Sequence, residues 1–213
     1  MSIKYYMEER VNIAQTENAK NELFPIFLKL EQFETLLVGG GNVALEKLQS
    51  LLSNSPGTSI TVVAPFVRHE IIELLGSYPK CKIVQRPFEE GDLDGKRLVV
   101  CATDDPELHK NIKLLTHIKG ILINVADTPE LCDFYLSSIV QRGSVKIAVS
   151  TNGKSPTVAK RLKEVISDMI PGEMENVLDN LQTLRSGMKE SFQEKVKRLN
   201  EITKELVNES SKG

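Results

Sequence analysis

Gly39-Gly40-Gly41-Asn42-Val43-Ala44 sets two glycines and an alanine at the spacing G-x-G-x-x-A, a pattern suited to gripping an anion with backbone N–H groups. Gly39 permits a tight turn, Gly41 lets a pyrophosphate approach the main chain, and Ala44 lets a helix pack closely on the preceding strand. The positive end of that helix then faces the phosphates. Two acidic positions, Thr103-Asp104-Asp105 and Asp127, follow apolar runs that read as strands. In open α/β sheets the crevice at the strands' carboxyl ends is where ligands bind. Asp104 and Asp105 equally suit helix caps, and Asp127 before Thr128-Pro129 equally suits a turn. Its expected place beside a nicotinamide makes Asp127 the stronger acid/base candidate.

A third group, Ser150-Thr151-Asn152-Gly153-Lys154-Ser155-Pro156, joins hydroxyls, a glycine turn and a helix start, with Lys160, Arg161 and Lys163 nearby. It reads as a second anion site; the plainer alternative is a solvated helix start. The second strand ends Val63-Ala64-Pro65-Phe66, without the acid that grips a ribose 2′-hydroxyl, so NAD and NADP stay undistinguished by this feature. His69, His109 and His117 lack ligand spacing, so no metal site is expected. The phosphate-loop pattern G-x-x-x-x-G-K-S/T is absent.

These residues need elements to hold them. Strand-like apolar runs at 35–38, 59–64, 82–85, 97–102 and 121–125 alternate with helical spacing at 42–53, 67–75 and 106–117. Along 42–53, Val43, Leu45, Leu48, Leu51 and Leu52 share a face. Buried strands alternating with helices predict a mostly parallel sheet of Rossmann type, with five strands and three helical crossovers by Asp127. Residues 134–140 and 145–150 flank the turn 141–144 as an antiparallel hairpin. Helices are expected at 155–170, 173–185 and 189–207, the last with an apolar stripe of Phe192, Val196, Leu199, Ile202 and Leu206 that suits either its own chain or a partner subunit.

Acidic and basic residues number 29 and 27, a net charge of −2, which speaks against a nucleic-acid binder. Trp is absent and aromatics are 5%, against a base-stacking platform. No apolar run nears the roughly 18–20 residues of a membrane span, and the first residues lack the apolar stretch of a secretory signal. Three cysteines without CxxC spacing suit reduced thiols in a cytoplasm.

LFPIFLKL, VGGGNVALEKLQSLL, TVVAP, CATDDPEL, INVADTPELCDFYLSSIVQRG and IAVSTNGKSPTVAKRLKEVI stand in that order. Over residues 23–170 the chain resembles the siroheme synthase family, and more narrowly its precorrin-2 dehydrogenase module, which in some members is also a sirohydrochlorin ferrochelatase. The methyltransferase fused to this module in some relatives is not expected in 213 residues. The resemblance implies NAD-dependent oxidation of precorrin-2 to sirohydrochlorin, on the way to sirohaem or cobalamin, with Fe²⁺ or Co²⁺ as a further substrate where chelation occurs. It implies a homodimer built by the segment after the Rossmann domain. It places Asn42, Val43, Pro65, Phe66, Thr103 and Asp104 on the dinucleotide, and makes Asp127 the proton-transfer group.

A polycarboxylate macrocycle needs cationic or N–H-rich walls, and Arg142, Ser150, Thr151, Lys154 and Ser155 are the candidates. Ser137 and His109 depart from the proline and asparagine common in relatives. The expected organisation is a flexible extension at 1–22, a dinucleotide domain at 23–127, a hairpin dimerisation segment at 128–155 and a helical region at 156–213. Two competing readings are a non-catalytic NAD-responsive regulator and an NAD(P) oxidoreductase for another substrate. The NVAD and STNGKSP segments count against the regulator.

Overall fold

Alternate side chains of five short strands reach opposite faces of one sheet, and both faces are covered. The computed structural model describes residues 21–204, so most of the expected extension at 1–22, and Leu206 of the last stripe, lie outside the described residues. The chain forms two compact units divided after Leu136. The first contains β1 (Glu34–Val38), α1 (Asn42–Asn54), β2 (Ser59–Val63), α2 (His69–Leu75), β3 (Lys82–Val84), β4 (Leu98–Cys101), α3 (Pro106–Lys119) and β5 (Leu122–Val125). The sheet order is β3-β2-β1-β4-β5, and every pairing is parallel.

Leu37, Ile60, Val62, Leu98 and Val100 point to the face covered by Ala44, Leu48, Leu51 and Leu52 of α1 and by Ile71 and Leu75 of α2. Leu36, Val38, Val63, Val99, Cys101, Ile123 and Val125 point to the other face, against Ile112 of α3 and Leu93. Two-sided burial explains why these strands read as unbroken apolar runs rather than alternating ones. The face expected for α1 is shifted. Ala44 is buried in it, whereas Val43 is 37% exposed, because the helix turns that residue away from the sheet.

Three helices make crossovers, as expected, and the link from β3 to β4 is different. A 3-10 turn, Glu90–Leu93, closes it. Arg86 grips Asp92 through two hydrogen bonds of 2.8 and 2.7 Å, and Asp92 also accepts from the Glu89 N–H at 2.8 Å. This fork anchors Leu93 in the core.

The first unit also runs past Asp127, where the sequence suggested its end. The Asp133 N–H donates to the Ile123 carbonyl at 2.8 Å, its carboxylate accepts from the Ile123 N–H at 3.1 Å, and Lys113 pairs with it. Asn124 donates to the Phe134 carbonyl at 2.9 Å. Residues 132–134 thus seal the outer edge of β5 and cannot begin a hairpin strand, which is why the expected strand at 134–140 starts late.

The second unit holds β6 (Ser138–Arg142), β7 (Val145–Val149), α4 (Pro156–Met169), α5 (Met174–Gly187) and α6 (Phe192–Thr203). β6 and β7 pair antiparallel with Arg142 opposite Val145, so the turn is two residues, Gly143-Ser144, instead of the four expected. Gly143 takes φ +54°, and Ser144 donates from its N–H and its hydroxyl to Glu175 at the start of α5. The hairpin and the helices after it therefore belong to one unit rather than to the two separate segments expected. No helix among the described residues is long and apolar enough to cross a membrane.

The Arg86 guanidinium holds the Asp92 carboxyl below the usual carboxylate range, with the Glu89 N–H adding to the effect. A depressed folded-state pKa stabilises the fold above the unfolded value of about 3.9, and that stabilisation is lost as pH falls through the folded value. Asp92→Asn is expected to lower stability in urea at neutral pH by about 1 kcal/mol, Arg86 being a third exposed. The gap between variant and parent is expected to close as the pH is taken well below the unfolded value; a gap independent of pH would contradict the charge role.

Candidate dinucleotide site and its relatives

The sheet order reverses direction of growth at β1, with β2 on one side and β4 on the other. The loops after β1 and β4 diverge there and open a crevice. Main-chain hydrogen bonds carry the ladder beyond the strand ends and fix its floor: Gly39 to Val63 at 3.0 Å, Ala102 to Val38 at 2.8 Å, Ala126 to Cys101 at 2.9 Å. The resulting cleft, about 1130 Å³, lies wholly within the first unit and is lined by Gly39, Gly40, Gly41, Asn42, Val43, Pro65, Phe66, Thr103, Asp104 and Asp127, among others. Every cofactor and catalytic candidate from the sequence is on that wall.

Each glycine has a separate reason. Gly39 takes φ +130°, and a Cβ on it would meet the Ala102 carbonyl oxygen at 2.2 Å. Gly40, an unassigned position in the motif, is as constrained. A Cβ there would meet the Phe66 carbonyl oxygen at 2.0 Å, and the Gly40 carbonyl accepts from the Arg68 N–H at 3.0 Å. That bond docks the start of α2 on the turn, a contact distant in sequence that motif spacing could not reveal. Gly41 is different: a Cβ on it would meet nothing within 4 Å, since it faces open cleft.

A phosphate would fit here. The first N–H groups of α1 have no carbonyl four residues back within the helix. Gly41 offers no side-chain cap, and no acid stands in the first turn. The residues present fit a dinucleotide: a glycine cradle open where a pyrophosphate belongs, unclaimed donors, and Val43 and the 68%-exposed Phe66 as apolar wall.

The two acids of Thr103-Asp104-Asp105 divide their roles. Asp105 caps α3, accepting from the Glu107 and Leu108 N–H groups at 3.0 Å each, which leaves Asp104 exposed on the cleft. Thr103 is tied to the buried His109 by a 2.8 Å contact between Oγ1 and Nε2, so the histidine at this departure from relatives supports a cleft residue. Asp127 is exposed and takes φ +57°, left-handed backbone that costs an aspartate about 1–3 kcal/mol and persists where surroundings enforce it.

The remaining candidates lie in the second unit. Asn152 and Gly153 both take positive φ, and the Lys154 N–H reaches the Thr151 carbonyl at 3.0 Å, a type I′ geometry. The Ser155 hydroxyl caps α4 by accepting from the Val158 N–H at 3.2 Å, Thr151 Oγ1 accepts from the Ser155 N–H, and Ser150 Oγ accepts from the Asn152 N–H. The expected unpaired donors of this turn are therefore partly taken by its own side chains. Lys154 is exposed at its tip. Arg142, also exposed, donates to the Ser167 carbonyl at 3.3 Å.

A family model described as "Putative NAD(P)-binding" matches residues 26–138, more than half of the chain. The chain belongs to that family. A second model, "Sirohaem biosynthesis protein central", matches residues 142–169. Among curated relatives, the siroheme synthase of Psychrobacter arcticus is 41% identical over 148 residues, covering 70% of this chain and 26% of its own length. That of Pseudoalteromonas atlantica is 35% identical over 184 residues, covering 86% and 37%. The chain thus spans about a quarter to just over a third of the length of these relatives. Among solved structures, the precorrin-2 dehydrogenase SirC aligns with a TM-score of 0.65 and 25% identity, covering 90% of this chain and all of SirC.

The glycines give a paired test. Gly41→Ala is expected to weaken dinucleotide binding on the order of tenfold or more, read by calorimetric titration, with an unchanged melting temperature. Gly40→Ala is expected to cost about 2–4 kcal/mol of stability through the clash with Phe66. Equal melting losses in both would contradict the separation of roles.

Proposed function

We propose that this protein is a precorrin-2 dehydrogenase that uses NAD⁺ to form sirohydrochlorin in sirohaem biosynthesis. The observation that carries the reading is the coincidence of a dinucleotide-shaped cleft, with Asp127 on its wall, and alignment along the whole of SirC. Bound NAD⁺ supplies the hydride acceptor. The chain supplies the rest. Gly41, Asn42 and Val43 would hold the pyrophosphate by backbone N–H groups, with Gly39, its own N–H spent on Val63, making the tight turn beneath it; Pro65 and Phe66 would flank the adenosine half, and Thr103 and Asp104 would border the reacting end. The Asp127 carboxylate takes the proton released from the macrocycle as the C–H bond is oxidised.

The substrate is a tetrapyrrole bearing many carboxylates, and the second unit carries a cationic surface suited to it. Arg142 and Lys154 are its proposed partners, with Ser150, Thr151 and Ser155 shaping the turn that presents Lys154. Ferrochelation, with Fe²⁺ or Co²⁺ as substrate and Asp127 again handling the proton, is a proposed second activity supported by the siroheme synthase relatives. A homodimer is proposed on the apolar stripe Val158, Leu162, Val165 and Met169, 43–69% exposed along one face of α4; a monomeric mass in sedimentation would contradict it. Three free cysteines suit a reducing cytoplasm as its location.

Anaerobic incubation with precorrin-2 and NAD⁺ tests the reading directly. Sirohydrochlorin is expected to accumulate; none would overturn it. Asp127→Ala is expected to slow oxidation by roughly 10²–10⁴-fold with NAD⁺ binding intact. Arg142→Ala and Lys154→Ala are expected to raise the KM for precorrin-2.

A further inference from the structure

Among the described residues, the outward-facing edge of β5 has no neighbouring strand. Ile123 and Val125 turn their N–H and carbonyl groups to that side, where unpaired polar groups near the core would be costly. Asp133 satisfies Ile123 with one backbone donor and one carboxylate oxygen. Val125 is satisfied by a thiol. Cys132 Sγ accepts from the Val125 N–H at 3.2 Å and donates to the Val125 carbonyl at 3.2 Å. It also accepts from Asn124 Nδ2 at 3.5 Å and lies 3.5 Å from the Thr128 carbonyl.

One donor and one acceptor on a single atom do what a facing peptide unit would do. Burial raises the Cys132 thiol pKa, which keeps its proton and therefore its donor. Between Val125 and Cys132 lies the loop that bears Asp127. It closes through the Thr128 N–H on the Val125 carbonyl at 3.4 Å, the Leu131 N–H on the Thr128 carbonyl at 3.1 Å and the Cys132 N–H on the Pro129 carbonyl at 3.1 Å. Within it, Asp127 holds a left-handed conformation that must be enforced from outside.

We propose that Cys132 is a positioning residue for oxidation, its thiol standing in for a missing strand beside Val125 and so pinning the loop that fixes Asp127 on the cleft wall. The inference rests on the proposed acid/base role of Asp127. The hydrogen bonds of Cys132 go to Asn124, Val125 and Thr128 and not to the glycine turn or the α1 N-terminus, so its effect belongs to turnover and not to dinucleotide affinity. Its chemistry is that of a hydrogen-bonding latch, with no covalent step.

The experiment compares Cys132→Ala and Cys132→Ser in the full chain. Cys132→Val, which fills the space with neither donor nor acceptor, serves in place of the alanine variant should that variant fold poorly. Amide hydrogen exchange at Val125 and Thr128, NAD⁺ affinity, and kcat and KM with precorrin-2 are read together. Expected are faster exchange at those amides, unchanged NAD⁺ affinity, and a kcat lower by on the order of 10- to 100-fold in the alanine or valine variant. Serine, which keeps a donor and an acceptor, is expected to recover most of the turnover. Unaltered exchange, undiminished kcat, or losses that fall equally on NAD⁺ affinity and serine's turnover would overturn the latch. Asp127→Ala separates the two ideas. If it keeps turnover, the acid/base reading fails; if it is inactive while Cys132→Ala is active, the positioning role alone fails.

Discussion

The unclaimed backbone donors at the first turn of α1 are the constraint around which the first unit is arranged. A helix start that is to receive an anion must withhold its own caps, and it must have main chain thin enough for the anion to reach. Gly41 meets both conditions, lacking a side chain to cap with and facing open cleft. Its neighbours secure the geometry. Gly39 lies against Ala102 at the end of β4, and Gly40 lies against Phe66 and accepts from Arg68 at the head of α2. The turn after β1 is therefore built jointly by β1 and by the ends of β2 and β4.

The opposite wall follows a contrary rule. Helix α3 is fully capped by Asp105, so it presents no competing anion site, and its paired aspartate is left over for the cleft. Asp127 sits on backbone that an isolated peptide would avoid, held by the residues that seal β5. Anion grip on one side and a carboxylate on the other are the two things the proposed hydride-removing site would need from its protein.

Much of this was legible in the amino-acid order. The G-x-G-x-x-A spacing, the parallel alternation and the strand-end acids are local patterns, and local patterns survive as sequence. What escaped had partners distant in the chain. Gly40 is explained only by Phe66 and Arg68, the late start of β6 only by Asp133 and Phe134 folding back on β5, and the thiol's role only by Val125. The helix-free link from β3 to β4 was expected, but not the side-chain fork of Arg86 on Asp92 that closes it. The turn at 150–155 looked open because hydroxyls in sequence do not show whether they are already engaged.

In the proposed function a dinucleotide hangs from the α1 N-terminus with its reactive end toward Asp127. A crystal structure of the protein with NAD⁺ tests it most directly. Pyrophosphate oxygens are expected within hydrogen-bonding distance of the Asn42 and Val43 N–H groups, about 2.7–3.2 Å, and the nicotinamide ring between Thr103-Asp104 and Asp127. A pyrophosphate seated elsewhere, or a nicotinamide turned away from Asp127, would contradict it.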